Sequence, residues 1–309
     1  MPEAYTHLRT ARAAAKMARL TIADPAAFAA GANGPDMLFC YRAWRKAEKR
    51  GTNLPALGAR MHEQETGEVL RSLIEHAVSP AERSYVLGFL CHYATDCTLH
   101  PYVAMLTAPG GLYARRGGHA YFEIGLDSVL HLKDTGDDAV PAAEGCPRIL
   151  GARLAMIGAL LQKAVWDAYG VPVSREALAD AFHHTWRLRR LFVSRWRVKR
   201  SIYWLLEPLF GGRGVITGHV TPAPLRGARK KDKKKLPNTW QDPFTGETHN
   251  DGLDALLEHA KRRSAAYMLA AEGYWAGRVR ADQLYGLLGS ASYLTGLPCG
   301  EPAKAVQPA

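Results

Sequence analysis

The chain lacks any apolar run long enough to cross a bilayer, and its opening residues Met1-Pro-Glu-Ala-Tyr-Thr-His7 contain no apolar stretch of the signal-peptide kind. A soluble, cytoplasmic protein is therefore expected. Five cysteines (Cys40, Cys91, Cys97, Cys146 and Cys299) are scattered, odd in number and without a C-x-x-C pair. That argues against a disulfide framework and against a thiolate zinc site, so any metal must be held by histidines and carboxylates. Alternating runs of β-branched residues are almost absent, which leaves little material for a sheet. There is no G-x-S-x-G, no Walker-type phosphate loop and no dinucleotide fingerprint. His62-Glu63 opens like the H-E-x-x-H of zinc proteases, but Thr66 stands where the second imidazole is needed. No Glu-x-x-His pair exists, which argues against a ferritin-like di-iron site.

What the chain does have is helix. In 309 residues with 47% apolar content, Ala- and Leu-rich stretches recur at helical spacing over 8–20, 56–76, 80–100, 119–132, 148–168, 174–208 and 250–275. The fold class expected is all-α, a multi-helix bundle with a metal site in its core, organised as a single helical domain over 1–309. Breaks fall at Gly31-Ala-Asn-Gly-Pro35, Pro109-Gly-Gly111, Gly117-Gly118, Gly211-Gly212 and Pro222 to Pro237. Residues 210–245 read as a basic, irregular insertion loop. The formal charge of +11 concentrates in Arg187 to Arg190, Arg195 to Arg200 and Arg226 to Lys235. Such clusters favour anionic partners, although the last also fits a solvated loop. The mixture of Arg, Trp, Tyr and Leu from Arg187 to Phe210 fits either an anionic membrane surface or a long amphipathic core helix with basic outer positions.

The chemistry is carried by two ladders. His92, Asp96 and His100 are spaced by four, and each step of four turns only about 40° around a helix, so all three share one face. Their neighbours Phe89, Leu90, Tyr93 and Leu99 are apolar, which implies burial, and a buried carboxylate between imidazoles calls for a cation. His119, Glu123 and Asp127 repeat the spacing immediately after Gly117-Gly118. A single such pair is explained as readily by a satisfied core histidine or an i,i+4 ion pair. Two triple ladders, able to face each other across a bundle core, point to a metal site. Asp36 in Gly34-Pro-Asp, His62 on an amphipathic segment and His7 at the start of the first helical stretch complete the candidates; read alone, Asp36 is a helix cap and His62 a boundary histidine.

In this order, His7, Gly-Pro-Asp36, His62, His92-x-x-x-Asp96, His100 and His119-x-x-x-Glu123 resemble the bacterial zinc-dependent phospholipase C family, whose all-helical fold is shared with single-strand-specific zinc nucleases. The similarity covers roughly residues 5–130. The resemblance implies that Asp36, His62, His92 and Asp96 surround one zinc ion, that His100, His119 and Glu123 hold a second, and that His7 reaches a third with Asp96 as a bridge. In the secreted members that third ion also takes the backbone of an N-terminal Trp; no Trp precedes His7 here, so two zinc ions are expected and a third is left open. Asp127 is outside the implied ligand set and is read as an acceptor for a ligating imidazole or as a helix-end carboxylate. The activity implied is hydrolysis of a phospholipid or related phosphodiester by metal-activated water, with Asp36 orienting or deprotonating that water. The alternatives are a zinc nuclease or nucleotidase acting on nucleic acid or nucleotides, and a non-catalytic metal-binding helical protein.

Overall fold

The order of capping side chains and apolar runs sets the helices. The computed structural model describes residues 4–228 and 235–301. Its helices are α1 (Ala4–Met17), α2 (Pro25–Gly31), α3 (Leu54–Glu63), α4 (Thr66–His76), α5 (Pro80–Thr107), α6 (Gly118–Thr135), α7 (Ala142–Gly145), α8 (Gly151–Tyr169), α9 (Arg175–Phe192), α10 (Val198–Leu206), α11 (Leu253–Trp275) and α12 (Ala281–Leu288). The architecture is all-α. The described residues add only one two-stranded antiparallel ribbon, β1 (Trp240–Gln241) against β2 (Thr248–His249). No described helix is long and apolar enough to cross a membrane.

The axis of the molecule is α5. Ser79 caps it: its Oγ accepts from the Glu82 amide, and the Glu82 carboxylate accepts from the Ser79 amide, satisfying two otherwise orphaned donors. Pro80 then occupies the first helical position, where its missing N–H costs nothing. From Ser84 to Cys97 every side chain is buried, so α5 is a core helix with neighbours on all sides, not an amphipathic one. Its N-terminal half lies in a core shared with α2, α4, α8, α9 and α11. Its C-terminal half, through Leu99, Tyr102, Val103 and Leu106, enters a second core with Phe122, Leu126 and Leu130 of α6. His92, Asp96 and His100 sit along the stretch where one core gives way to the other.

Two expected helices are each divided. The 56–76 stretch breaks at Glu65, which adopts a left-handed φ of 51° between α3 and α4. The 174–208 stretch ends at Phe192 and restarts at Val198. There the backbone leaves the helix to pair with a distant segment, Ser194 N–H donating to Thr221 O and Thr221 N–H to Phe192 O. A tertiary pairing of this kind leaves no mark on local periodicity. The reading of Arg187–Phe210 as one long core helix is thereby corrected. The described residues on either side of 229–234 are fastened to the helices: the Tyr113 hydroxyl donates to Arg226 O, the Tyr102 hydroxyl to Pro237 O, and buried Trp240 packs edge-on against Tyr102. The most lysine-dense part of the expected loop, residues 229–234, lies outside the described residues.

Candidate metal centre

Three elements bring the first group together. α5 supplies His92 and Asp96, α1 supplies His7, and the short 3-10 helix Gly34–Cys40 supplies Asp36. The turn before Asp36 depends on Gly34, at φ +51°, whose backbone lies on the His92 imidazole; a Cβ there would fall 2.1 Å from His92 Cδ2. One ligand atom from each of His7, Asp36, His92 and Asp96 lies within 4.8 Å of the others, and all four residues are buried. His7 Nε2 is 3.1 Å from Asp96 Oδ1, His92 Nε2 is 3.0 Å from Asp96 Oδ2, and His92 Nε2 is 3.5 Å from Asp36 Oδ2. His62, on α3, meets the other oxygen of Asp36 at 3.0 Å and lies 3.9 Å from Asp96 Oδ2. Thus His7 joins the tight set, and His62 borders it through Asp36.

The second group is His100, His119 and Glu123. His119 Nε2 is 2.7 Å and His100 Nε2 3.4 Å from Glu123 Oε1. His119 is exposed where α6 begins, whereas His100 and Glu123 are buried. Asp96 lies between the groups: Oδ1 faces His7, and Oδ2 faces His92 and, at 3.9 Å, His100 Nδ1.

The histidine tautomers follow from their partners. A carbonyl only accepts, so His62 Nδ1 donates to Gly58 O and His100 Nδ1 donates to Tyr293 O. In the neutral form of each ring Nε2 is then the nitrogen with a lone pair, and it is the ring nitrogen closest to a carboxylate, 3.0 Å from Asp36 for His62 and 3.4 Å from Glu123 for His100. Burial alone would suppress charge on these groups, but opposite charges outweigh it. Asp96 raises His7, and Asp36 raises His62. Asp96 and Glu123 push His100 up to about 10. The facing imidazoles hold Asp36 below, and Asp96 and Glu123 well below, the usual carboxylate range.

The donor set suits zinc: imidazole nitrogens and carboxylate oxygens, with no thiolate. Asp36 Oδ2 and both ring nitrogens of His7 and of His92 are buried and make no hydrogen bond among the described residues. Buried polar atoms without a hydrogen bond are costly, and so many at one point fit a cation-binding centre. His7 and His92 form the back of this centre. Asp36, His62, Asp96, His100, His119 and Glu123, with Phe39 and Leu294, line a cavity of about 210 Å³ on its open side.

A family model described as zinc dependent phospholipase C matches residues 6–189, more than half of the chain. The chain belongs to that family. No curated protein and no solved structure matches it. The zinc dependent phospholipase C segment contains every one of the eight expected ligands, His7 through Glu123. Family membership agrees with the all-α fold and with the buried His/Asp groups.

Asp127, the last rung of the second ladder, meets no imidazole of either group. Its Oδ1 accepts from the Thr6 amide at 2.8 Å and the Thr6 hydroxyl at 2.7 Å, and Oδ2 accepts from the Tyr5 amide at 3.1 Å. It caps α1 from across the molecule, one residue before His7. Tyr293 is a neighbour that spacing did not single out. Beyond its carbonyl on His100, its amide donates to His62 O, and its ring centroid lies 5.1 Å from that of His62 and 5.8 Å from that of His92. It acts largely through its backbone and comes from an irregular segment, so no side-chain pattern announces it.

Proposed function

We propose that this protein hydrolyses a phospholipid phosphodiester in the cavity onto which both histidine–carboxylate groups open. The observation that carries the reading is the shared opening: one small cavity is lined by carboxylates and imidazoles of both groups, together with Phe39 and Leu294. Zinc, held by His7, Asp36, His62, His92 and Asp96 at one group and by His100, His119 and Glu123 at the other, would supply Lewis acidity to a phosphate ester and acidity to water. Two ions are proposed, with room for a third through His7 and the bridging Asp96. Asp36 is the residue proposed to orient and deprotonate the attacking water. It lies in the cavity wall, its Oδ1 is engaged by His62, and its Oδ2 makes no hydrogen bond. His62, pinned by Gly58 O, fixes the direction of that carboxylate. Phe39 and Leu294 offer apolar contact to the glycerol side of the substrate and exclude water from it.

The test compares zinc-loaded protein on phosphatidylcholine and on single-stranded DNA, with metal content measured on the same preparations. Phosphocholine release, with two to three zinc ions per chain, is expected. Asp36→Asn should lower kcat by about 10²–10⁴-fold if the carboxylate handles the proton, and zinc content of the variant separates that role from a ligand's. Cleavage of DNA alone would overturn the phospholipid reading in favour of a nuclease. Protein that takes up no zinc would overturn both.

A further inference from the structure

Just past the family-matched residues the molecule turns an amphipathic element inside out. α10 contains no buried residue. One side of it and of the turn that follows is tied to the protein by polar groups. The Arg200 guanidinium donates to Val220 O at 2.6 Å and Pro222 O at 3.1 Å, and the Tyr203 hydroxyl donates to Leu191 O. The buried Glu207 carboxylate accepts from the amides of Gly214, Ile216 and Thr217 and from the Thr217 hydroxyl. Arg200, Tyr203 and Glu207 are three and four residues apart and so share a face. The opposite stripe is Val198, Ile202, Leu205 and Leu209, exposed by 60%, 47%, 67% and 78%, and it is flanked by exposed Trp196 and Phe210. An ordinary surface helix does the reverse, turning its apolar stripe to the core. A contiguous apolar patch held outward by polar anchors on the opposite face is a docking surface.

Charge says what it docks to. From Arg187 to Arg213 there are eight basic side chains and one acidic one, Glu207, which faces inward. A second copy of the chain would set like charge against like, and nucleic acid would leave the apolar stripe in water. An anionic bilayer satisfies both features, taking the apolar side chains at the acyl boundary and the arginines at the phosphates. Beside the stripe, Arg115, Arg116, Arg200 and Arg213 line a cavity of about 790 Å³ together with Tyr121 and Trp204. The Arg213 guanidinium lies 3.5 Å from the centre of the Trp204 ring and Arg115 lies 3.8 Å from that of Tyr121, so the wall of this one cavity pairs cations with aromatic rings, the combination found at membrane–water boundaries. Gly117, in the wall of that cavity, is two residues from His119 of the second histidine group.

We propose that α10 and the Glu207–Phe210 turn form an interfacial anchor that seats the protein on an anionic phospholipid bilayer, with the arginine-lined cavity taking a headgroup phosphate. The inference rests on the phospholipid reading only for the choice of lipid as substrate; docking and hydrolysis are measured apart. Full-length protein in EDTA, where no turnover occurs, is sedimented with vesicles of phosphatidylcholine alone and of phosphatidylcholine mixed with phosphatidylglycerol. Binding to the mixed vesicles, a blue shift of tryptophan emission and weakening by salt are expected. The double substitution Leu205→Glu/Leu209→Glu should reduce binding by about tenfold or more with the melting temperature unchanged, because both side chains point to solvent. Trp196→Ser/Phe210→Ser serves as the second variant and should act in the same direction. Wild-type protein that ignores anionic vesicles, or a folded double variant that binds like wild type, overturns the proposal. A dimer of the wild type that the double variant loses would assign the face to a second copy and overturn it equally. Vesicle binding without hydrolysis would sink the proposed function and leave the anchor standing; hydrolysis of a water-soluble phosphodiester without vesicle binding would do the opposite.

Discussion

Asp127 shows how a carboxylate can serve the proposed metal centre without facing it. The first amides of a helix have no partner within the helix, and those of Tyr5 and Thr6 are buried beneath α6, where water is a poor substitute. Asp127 takes both, and the Thr6 hydroxyl as well, and the next residue is His7. Asp127→Ala should lower stability by about 1–3 kcal/mol, the cost of leaving buried donors unmade, read as a fall in the denaturant midpoint. Zinc bound per chain should fall as well, because the entry of α1 no longer holds His7 against Asp96. A variant with unchanged stability and full zinc content would show that the α1 entry is fixed by packing alone. At this scale the sequence was legible where spacing is local. His92, Asp96 and His100 share a helical face by arithmetic, and so do His119 and Glu123. It was illegible where a contact crosses the fold: Asp127 continues the i,i+4 ladder and yet serves α1, because spacing reports which face a residue occupies and not what lies opposite. Tyr293 was beyond reach for a related reason, since a carbonyl belongs to every residue and identifies none.

Among the elements, the crossing of α2 over α5 controls where the proposed metal ligands fall. The helices approach closely enough that a Cβ on Gly88 would lie 2.1 Å from Phe28 O and 2.7 Å from Ala32 N, both backbone atoms that cannot swing aside. Gly88 is one helical turn before His92, and the turn that follows α2 carries Gly34 and Asp36. Gly88→Ala should therefore push α2 from α5 and separate Asp36 from His92 and Asp96. We expect destabilisation of about 1–3 kcal/mol from overpacking, together with loss of zinc from the first group, seen as reduced metal stoichiometry in protein that still gives a helical circular-dichroism spectrum. An alanine variant with wild-type midpoint and zinc content would mean that the crossing relaxes without moving its ligands. The existence of most helices could be read from Ala and Leu periodicity, and α5 ran farther than expected, to Thr107. The interruption between α9 and α10 could not be read. It is produced by the pairing of residues 192–194 with Thr221, and both flanks retain helical spacing.

Across the whole molecule, the eight expected ligands end at Glu123 and the family match ends at residue 189, yet the centre depends on residues far beyond either. α11 is the principal helical neighbour of α5, and Tyr267 stacks on Tyr93 of α5 with ring centroids 5.9 Å apart. The Tyr93 hydroxyl donates to Leu288 O and receives the Ala291 amide. Trp275 donates to Ile74 O on α4, and Tyr293 closes over His62 and His100. Removing residues 253–309 would take Tyr267, Met268, Leu284, Leu288 and Tyr293 out of the core they share with α5 and uncover Tyr93, at roughly 1.5–3 kcal/mol for each large apolar side chain lost from that core, and would strip His100 Nδ1 of its acceptor. That loss is comparable to the whole net stability of a domain, which is only about 5–15 kcal/mol. A fragment of residues 1–252 should consequently show no cooperative melt and no tight zinc uptake, although every expected ligand is present in it. Calorimetry and metal analysis of the fragment beside the full chain decide the point. A cooperative transition with full-chain zinc content would show that the family-matched part builds the centre by itself, and the packing of α11 and Tyr293 would then be an addition to the site and not part of its construction.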